Sequence, residues 1–112
     1  ILAGVQISMN ALFQRTAQLP QIELAVPDTF LGMDTVSHIQ IGGVLGYIGS
    51  VEYLIRNTKA ELEGGEHAKV VATGGLARLI AENTDTIDVV DGGLILDGLV
   101  SIYEKYKAEK DQ

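Results

Sequence analysis

Residues 69–80 read Lys69-Val70-Val71-Ala72-Thr73-Gly74-Gly75-Leu76-Ala77-Arg78-Leu79-Ile80. A β-branched apolar run stops at Thr-Gly-Gly, and the helical spacing of Leu76, Leu79 and Ile80 begins at once. The stretch predicts a strand, a glycine turn and a helix, which makes the chain α/β. The first backbone N–H groups of a helix lack partners and sit at the positive end of its dipole, so such a junction suits a polar or anionic ligand such as a nucleotide. Gly74 and Gly75 have no Cβ, so a ligand can approach their backbone closely. The competing reading is an ordinary tight turn, and these twelve residues by themselves favour it.

The chain has 112 residues, enough for one compact domain spanning 1–112. Hydrophobic residues make up 46% and charged residues 21%, a globular balance. With no cysteine, neither a disulfide framework nor a thiolate metal site can form. His38 and His67 show no ligand spacing, so no metal site is expected. A net charge of −7 argues against a nucleic-acid partner, which would select a basic face. No stretch reads as a signal or transit peptide, and the expected location is the cytoplasm. The opening Ile1-Leu2-Ala3-Gly4 has no methionine and reads as the interior of a longer protein.

Val5, Met9, Leu12, Phe13 and Thr16 share one face, so Val5 to Ala17 is expected to be an amphipathic helix. Ile22, Leu24 and Val26 alternate with Glu23 and Ala25 and predict a half-buried strand closed by Pro27. Asp34 or Thr35 can cap the longest element, a helix from Thr35 to about Leu62. Its uncharged middle, Ile41 to Val51, holds Gly42, Gly43, Gly46 and Gly49, which together cost about 4 kcal/mol relative to alanine. Close helix–helix approach along Gly42, Gly46 and Gly49 would offset that cost, and these residues are assigned to a subunit interface. The separate stripe Ile41, Val44, Ile48, Val51 and Ile55 is left to face the chain's own sheet. At about 13 residues the apolar run is too short to span a membrane, which takes roughly 20.

After a polar turn at Glu61–Glu66 come a strand at Lys69–Ala72, a helix from Gly75 to about Glu82 and a strand at Thr86–Val90. Gly92-Gly93 turns into a last helix with Ile95, Leu99, Ile102, Tyr103 and Tyr106 on one face, where the tyrosines read as core and rim. Asp85, Asp88 and Asp91 recur every third residue, but in an extended strand that spacing sends neighbouring carboxylates to opposite faces, so solvated strand ends are expected. His38 and His67 read as surface residues, and no complete catalytic set is present.

Several segments, in order and spacing, resemble the C-terminal half of type III pantothenate kinases from Gly4 to about Tyr106. They are Ile7 to Ala17 (ISMNALFQRTA) followed by Leu19-Pro20, where the family has a similar ISM-x-AL helix and an LP-x-IEL strand; Gly32 to Val36 (GMDTV); Gly42 to Gly49 (GGVLGYIG); Val71 to Ala77 (VATGGLA); and Thr86 to Asp91 (TIDVVD). The chain departs from the family at Met33-Asp34, where Lys-Asn is usual, at Leu2-Ala3-Gly4 in place of Pro-Gly, and at Gly92, where the family has proline.

The resemblance implies the C-terminal half of an actin-like, ribonuclease-H-like ATPase fold, with a short mixed sheet packed by helices, one of them long and glycine-rich. It implies a transferase that phosphorylates pantothenate in the first step of coenzyme A synthesis, using ATP with Mg2+ and a monovalent cation, K+ or NH4+. Thr73, Gly74 and Gly75 would then belong to the adenosine side of the nucleotide site, and Thr35 would reach pantothenate across a homodimer interface that includes the glycine helix. The family's DxGNT phosphate motif, its GxDR substrate motif and its GTAxTxD segment with the catalytic base are not found in these residues. The segment is therefore expected to hold no catalytic residue and to be inactive alone, with the chemistry supplied by an N-terminal domain. The alternative is a non-catalytic dimerisation or regulatory module built on the same fold.

Overall fold

A helix begins where its free N–H groups find an acceptor, and Asp34 provides one. In the computed structural model, which describes residues 1–16 and 19–112, the Asp34 carboxylate accepts the Ser37 N–H at 2.7 Å. The Ser37 hydroxyl in turn accepts the Asp34 N–H at 3.2 Å. This reciprocal capping box opens the longest helical run. The run comprises α2 (Thr35–Gln40), a π-turn (Ile41–Leu45) and α3 (Gly46–Glu61). The expected continuous helix is thus present, widened by a π-turn where Gly42 and Gly43 fall together.

The chain divides into two compact units, Ile1–Leu54 and Ile55–Gln112. In the first, α1 (Val5–Arg15) packs against the π-turn. Gly43 makes this approach possible, because a Cβ there would collide with the Met9 thioether. Met9 is 2% exposed and Val44 is fully buried. The inward stripe of the long helix therefore centres on Val44 and Ile48, with Ile41 and Val51 half-buried beside it, but it packs on α1 and not, as expected, on the sheet, whose strands belong to the second unit. The expected end of the first helix at Ala17 lies outside the described residues.

One expected element is missing. Ile22 to Val26 forms no strand. Alternation specifies which side chains share a face, but a strand also needs a neighbouring backbone to complete its ladder. Among the described residues the ladder is confined to β1 (Val71–Ala72) and β2 (Val89–Val90). These pair in parallel, with Val71 opposite Val89 and Ala72 opposite Val90. Among the described residues the sheet is therefore parallel and not mixed, since no third strand joins it.

The second unit holds this sheet, α4 (Ala77–Ala81) and α5 (Leu94–Lys110). α4 contacts both strands and buries Ala77 and Ile80. It is the crossover that a parallel pair requires. α5 overturns another expectation: none of its residues is buried, and Tyr103 and Tyr106 are 64% and 52% exposed. Its apolar periodicity is real, but nothing in its own unit covers that face. No helix is long and apolar enough to cross a membrane among the described residues.

The Asp88 carboxylate accepts the Val70 N–H at 2.7 Å. That bond, aided by Lys69 and Lys59 nearby, holds its pKa below the ordinary 3.8 against a smaller opposing effect of burial. A group whose pKa is depressed by folding stabilises the fold above its unfolded value and loses that contribution as pH falls through the folded one. Asp88→Asn should therefore melt at lower temperature than the parent at pH 7, and the gap should close as pH falls below the ordinary 3.8. Thermal melts of both proteins across that range provide the check.

Candidate functional site

The chain repeats one pattern. Val71-Ala72-Thr73-Gly74-Gly75-Leu76 is echoed by Val89-Val90-Asp91-Gly92-Gly93-Leu94. In each, a small apolar pair that begins with valine is followed by one polar residue, two glycines and a leucine that leads into a helix. The register of the sheet sets the two copies side by side, because both strands run the same way and Val71 faces Val89. The Asp91 N–H donates to the Ala72 carbonyl at 2.8 Å, so the second loop is tied to the residue just before Thr73. Both glycine loops therefore leave the same, C-terminal, end of the parallel pair. Open α/β sheets bind ligands at that end.

Thr73, Gly74 and Gly75 are exposed. Gly74 has φ 104°, a left-handed conformation that a Cβ would strain. No atom lies within 4 Å of where a Cβ on Gly74 or Gly75 would stand. The backbone of this loop is open to an approaching group, as the sequence led one to expect. Sequence reading treated Gly92-Gly93 as a plain turn and missed its partnership with the first loop; the six-residue echo was the available signal. Asp91 is half-buried, and its carboxylate accepts the Gly93 N–H at 3.0 Å.

The three spaced aspartates do not converge. Asp88 takes the Val70 N–H, Asp91 takes Gly93, and Asp85 forms an exposed pair with Arg56 at 3.3 Å. No group of three or more His, Cys, Asp or Glu among the described residues could hold a metal ion.

Thr35 and Gly42 come together in the first unit, at a cavity of about 480 Å³. Ser8, Met9 and Leu12 of α1 line it opposite Thr35, His38 and Ile39 of α2. Its wall is mainly apolar, with the Thr35 and Ser8 hydroxyls and the His38 ring as polar points. His38 Nε2 lies 2.8 Å from the Gly32 carbonyl, which fixes the ring against the loop before the helix. Gly42, Gly46 and Gly49 are exposed, and a Cβ added at Gly42 or Gly49 would meet nothing within 4 Å. Within the chain, the glycine that admits a neighbouring helix is Gly43. A hollow of about 320 Å³ beside β2, lined by Arg78, Glu82 and Val90 among others, includes none of the expected site residues.

These features define an α/β protein with an open strand-end loop pair and a separate, mainly apolar cavity. The sequence model for the family described as type III pantothenate kinase matches residues 1–57. A type III pantothenate kinase of Exiguobacterium sp. (strain ATCC BAA-1283 / AT1b) is 50% identical over 102 residues, covering 91% of this chain and 39% of that protein. This chain belongs to the type III pantothenate kinase family. It spans about two-fifths of the length of that curated relative. A match of 102 residues within 112 necessarily takes in Thr35, the glycine helix and both loops.

The two glycines of the first loop should respond differently to a methyl group. Gly74→Ala forces a side chain into positive φ and should cost about 1 to 2 kcal/mol. Gly75→Ala meets open space without that strain and should change stability by less than about 0.5 kcal/mol. Urea unfolding of the two variants measures the contrast.

Proposed function

We propose that the chain is the C-terminal domain of an ATP-dependent pantothenate kinase with an actin-like, ribonuclease-H-like fold, whose remaining part carries the phosphate-handling motifs. The observation that carries this reading is the 50% identity to an enzyme of that description over 91% of the chain. In it, Thr73, Gly74 and Gly75 receive the adenosine end of ATP. The open backbone at these glycines supports a close approach. Asp91, tied beside them, supports the uncharged end of the nucleotide over its phosphates, because a carboxylate repels a triphosphate.

Thr35 contacts pantothenate in this reading. Its exposure and its place on the 480 Å³ cavity support the role, since a compact substrate with apolar and polar parts suits a wall of that mixture. The contact is made across a homodimer in which Gly42, Gly46 and Gly49 meet the partner; their open, exposed backbone is compatible with such packing. Phosphoryl transfer depends on holding phosphates, metal and nucleophile together. In this reading Mg2+ and a monovalent cation, K+ or NH4+, accompany ATP and lie at its phosphates.

The test joins this chain to the segment of the Exiguobacterium enzyme that precedes the matched stretch. The joined protein should phosphorylate pantothenate, and the 112-residue chain alone should not; turnover by the chain alone would sink the proposed division of labour. In the joined protein, Gly75→Val should raise the KM for ATP about tenfold with a smaller change in kcat, as loss of binding common to ground and transition states does. An unchanged KM would remove the loop from the nucleotide site.

The interface has its own measurement. Light scattering should report a dimer for the joined protein and a monomer for its Gly46→Leu variant. A variant that stays dimeric takes the glycine helix out of the contact.

A further inference from the structure

We propose that His38 binds substrate in the cavity between α1 and α2, with its Nδ1 atom accepting a hydrogen bond from an uncharged hydroxyl or amide group. The proposal rests on the reading that this cavity receives pantothenate, and it names the end of that molecule that enters. Thr35, His38 and Ile39 are spaced by three and four, so they share one helix face, and all three line the cavity of about 480 Å³.

The neighbouring loop sets the state of the ring. A carbonyl oxygen can only accept, so the Gly32 carbonyl, 2.8 Å from Nε2, places the ring hydrogen on Nε2. The neutral ring then carries its free lone pair on Nδ1. That carbonyl is itself held in place, because the next two N–H groups, of Met33 and Asp34, both donate to the Ser37 hydroxyl at 3.2 Å. A Cβ at Gly32 would collide with Cδ2, Nε2 and Cγ of His38, so this is the edge of the ring that lies on Gly32. Gly32 does not line the cavity, and the edge left to face it is the one bearing Nδ1. Among the described residues Nδ1 has no hydrogen-bond partner.

The wall selects which group meets that lone pair. Among the described lining residues there is no Asp, Glu, Lys or Arg. A carboxylate would lose its hydration there without gaining a cation, and the Nδ1 lone pair would repel it. Pantothenate carries its carboxylate at one end and two hydroxyls, two methyl groups and an amide toward the other. The second end suits the cavity: Met9, Leu12 and Ile39 take the methyl groups, and Nδ1 takes a hydroxyl or the amide N–H. The carboxylate stays outside.

Two substitutions separate this contact from the ring's hold on the loop. His38→Gln puts an amide N–H where Nε2 meets Gly32 and leaves no acceptor at the Nδ1 position. His38→Asn puts an amide oxygen near the Nδ1 position and gives up the Gly32 contact. In the protein joined to the relative's preceding segment, His38→Gln should raise the KM for pantothenate about fivefold, the worth of one hydrogen bond, and leave the KM for ATP unchanged. His38→Asn should raise it by less than about twofold and melt at lower temperature. A His38→Gln protein with the parent's KM, or one less impaired than His38→Asn, would show that the ring only holds the loop and would overturn the proposal. Nitrogen-15 spectra of the ring provide a second readout, with the exposed His67 as reference and the His38→Gln variant to identify the signal. They should place the hydrogen of His38 on Nε2, and pantothenate added to the joined protein should shift Nδ1 of His38 and not that of His67. A hydrogen on Nδ1, or no shift, would overturn the contact. A joined protein that shows the shift and does not phosphorylate pantothenate would reject the kinase reading and leave the contact standing.

Discussion

The parallel pairing of two very short strands is the constraint on which the second unit depends. Two residues on each side are too few to hold a ladder by hydrogen bonds alone, since each bond contributes only about 1 kcal/mol net. The pair is closed at both ends by groups outside the ladder. Asp88 caps its start through the Val70 N–H, and the Asp91 N–H reaches the Ala72 carbonyl at its finish. α4 covers it with Ala77 and Ile80. Remove this register and the two glycine loops no longer leave the same edge.

The first unit solves a different problem with the same residue type. Glycines in a helix are unfavourable, and the chain places four within eight positions. Gly43 recovers part of that cost by letting Met9 close onto the π-turn and bury Val44. The other three stay exposed. The exposed glycine line lies on the face of the helix opposite the buried stripe of Val44 and Ile48. Both that line and the bare face of α5 leave the chain with more contact-forming surface than its core requires.

Family membership and geometry bear on different parts of the function. The family model covers the capped helix, the cavity and the π-turn, while the wider match to the Exiguobacterium enzyme extends over the glycine loops. The geometry shows two glycine loops leaving one end of the sheet with open backbone at the first. The spaced aspartates are separately engaged: each carboxylate stabilises backbone or pairs with a side chain nearby.

Much of this was legible in the residues themselves. Local chemistry determined the Asp34 cap, the helical spans and the positions of both glycine loops, because each depends on neighbours a few positions apart. The tertiary structure decided the rest. It showed that Ile22–Val26 has no partner, that Gly43 and not Gly42 receives Met9, and that the tyrosines of α5 face solvent. It also set Thr73–Gly75 beside Asp91–Gly93. Periodicity states which side chains share a face, but only long-range packing states what, if anything, lies against it.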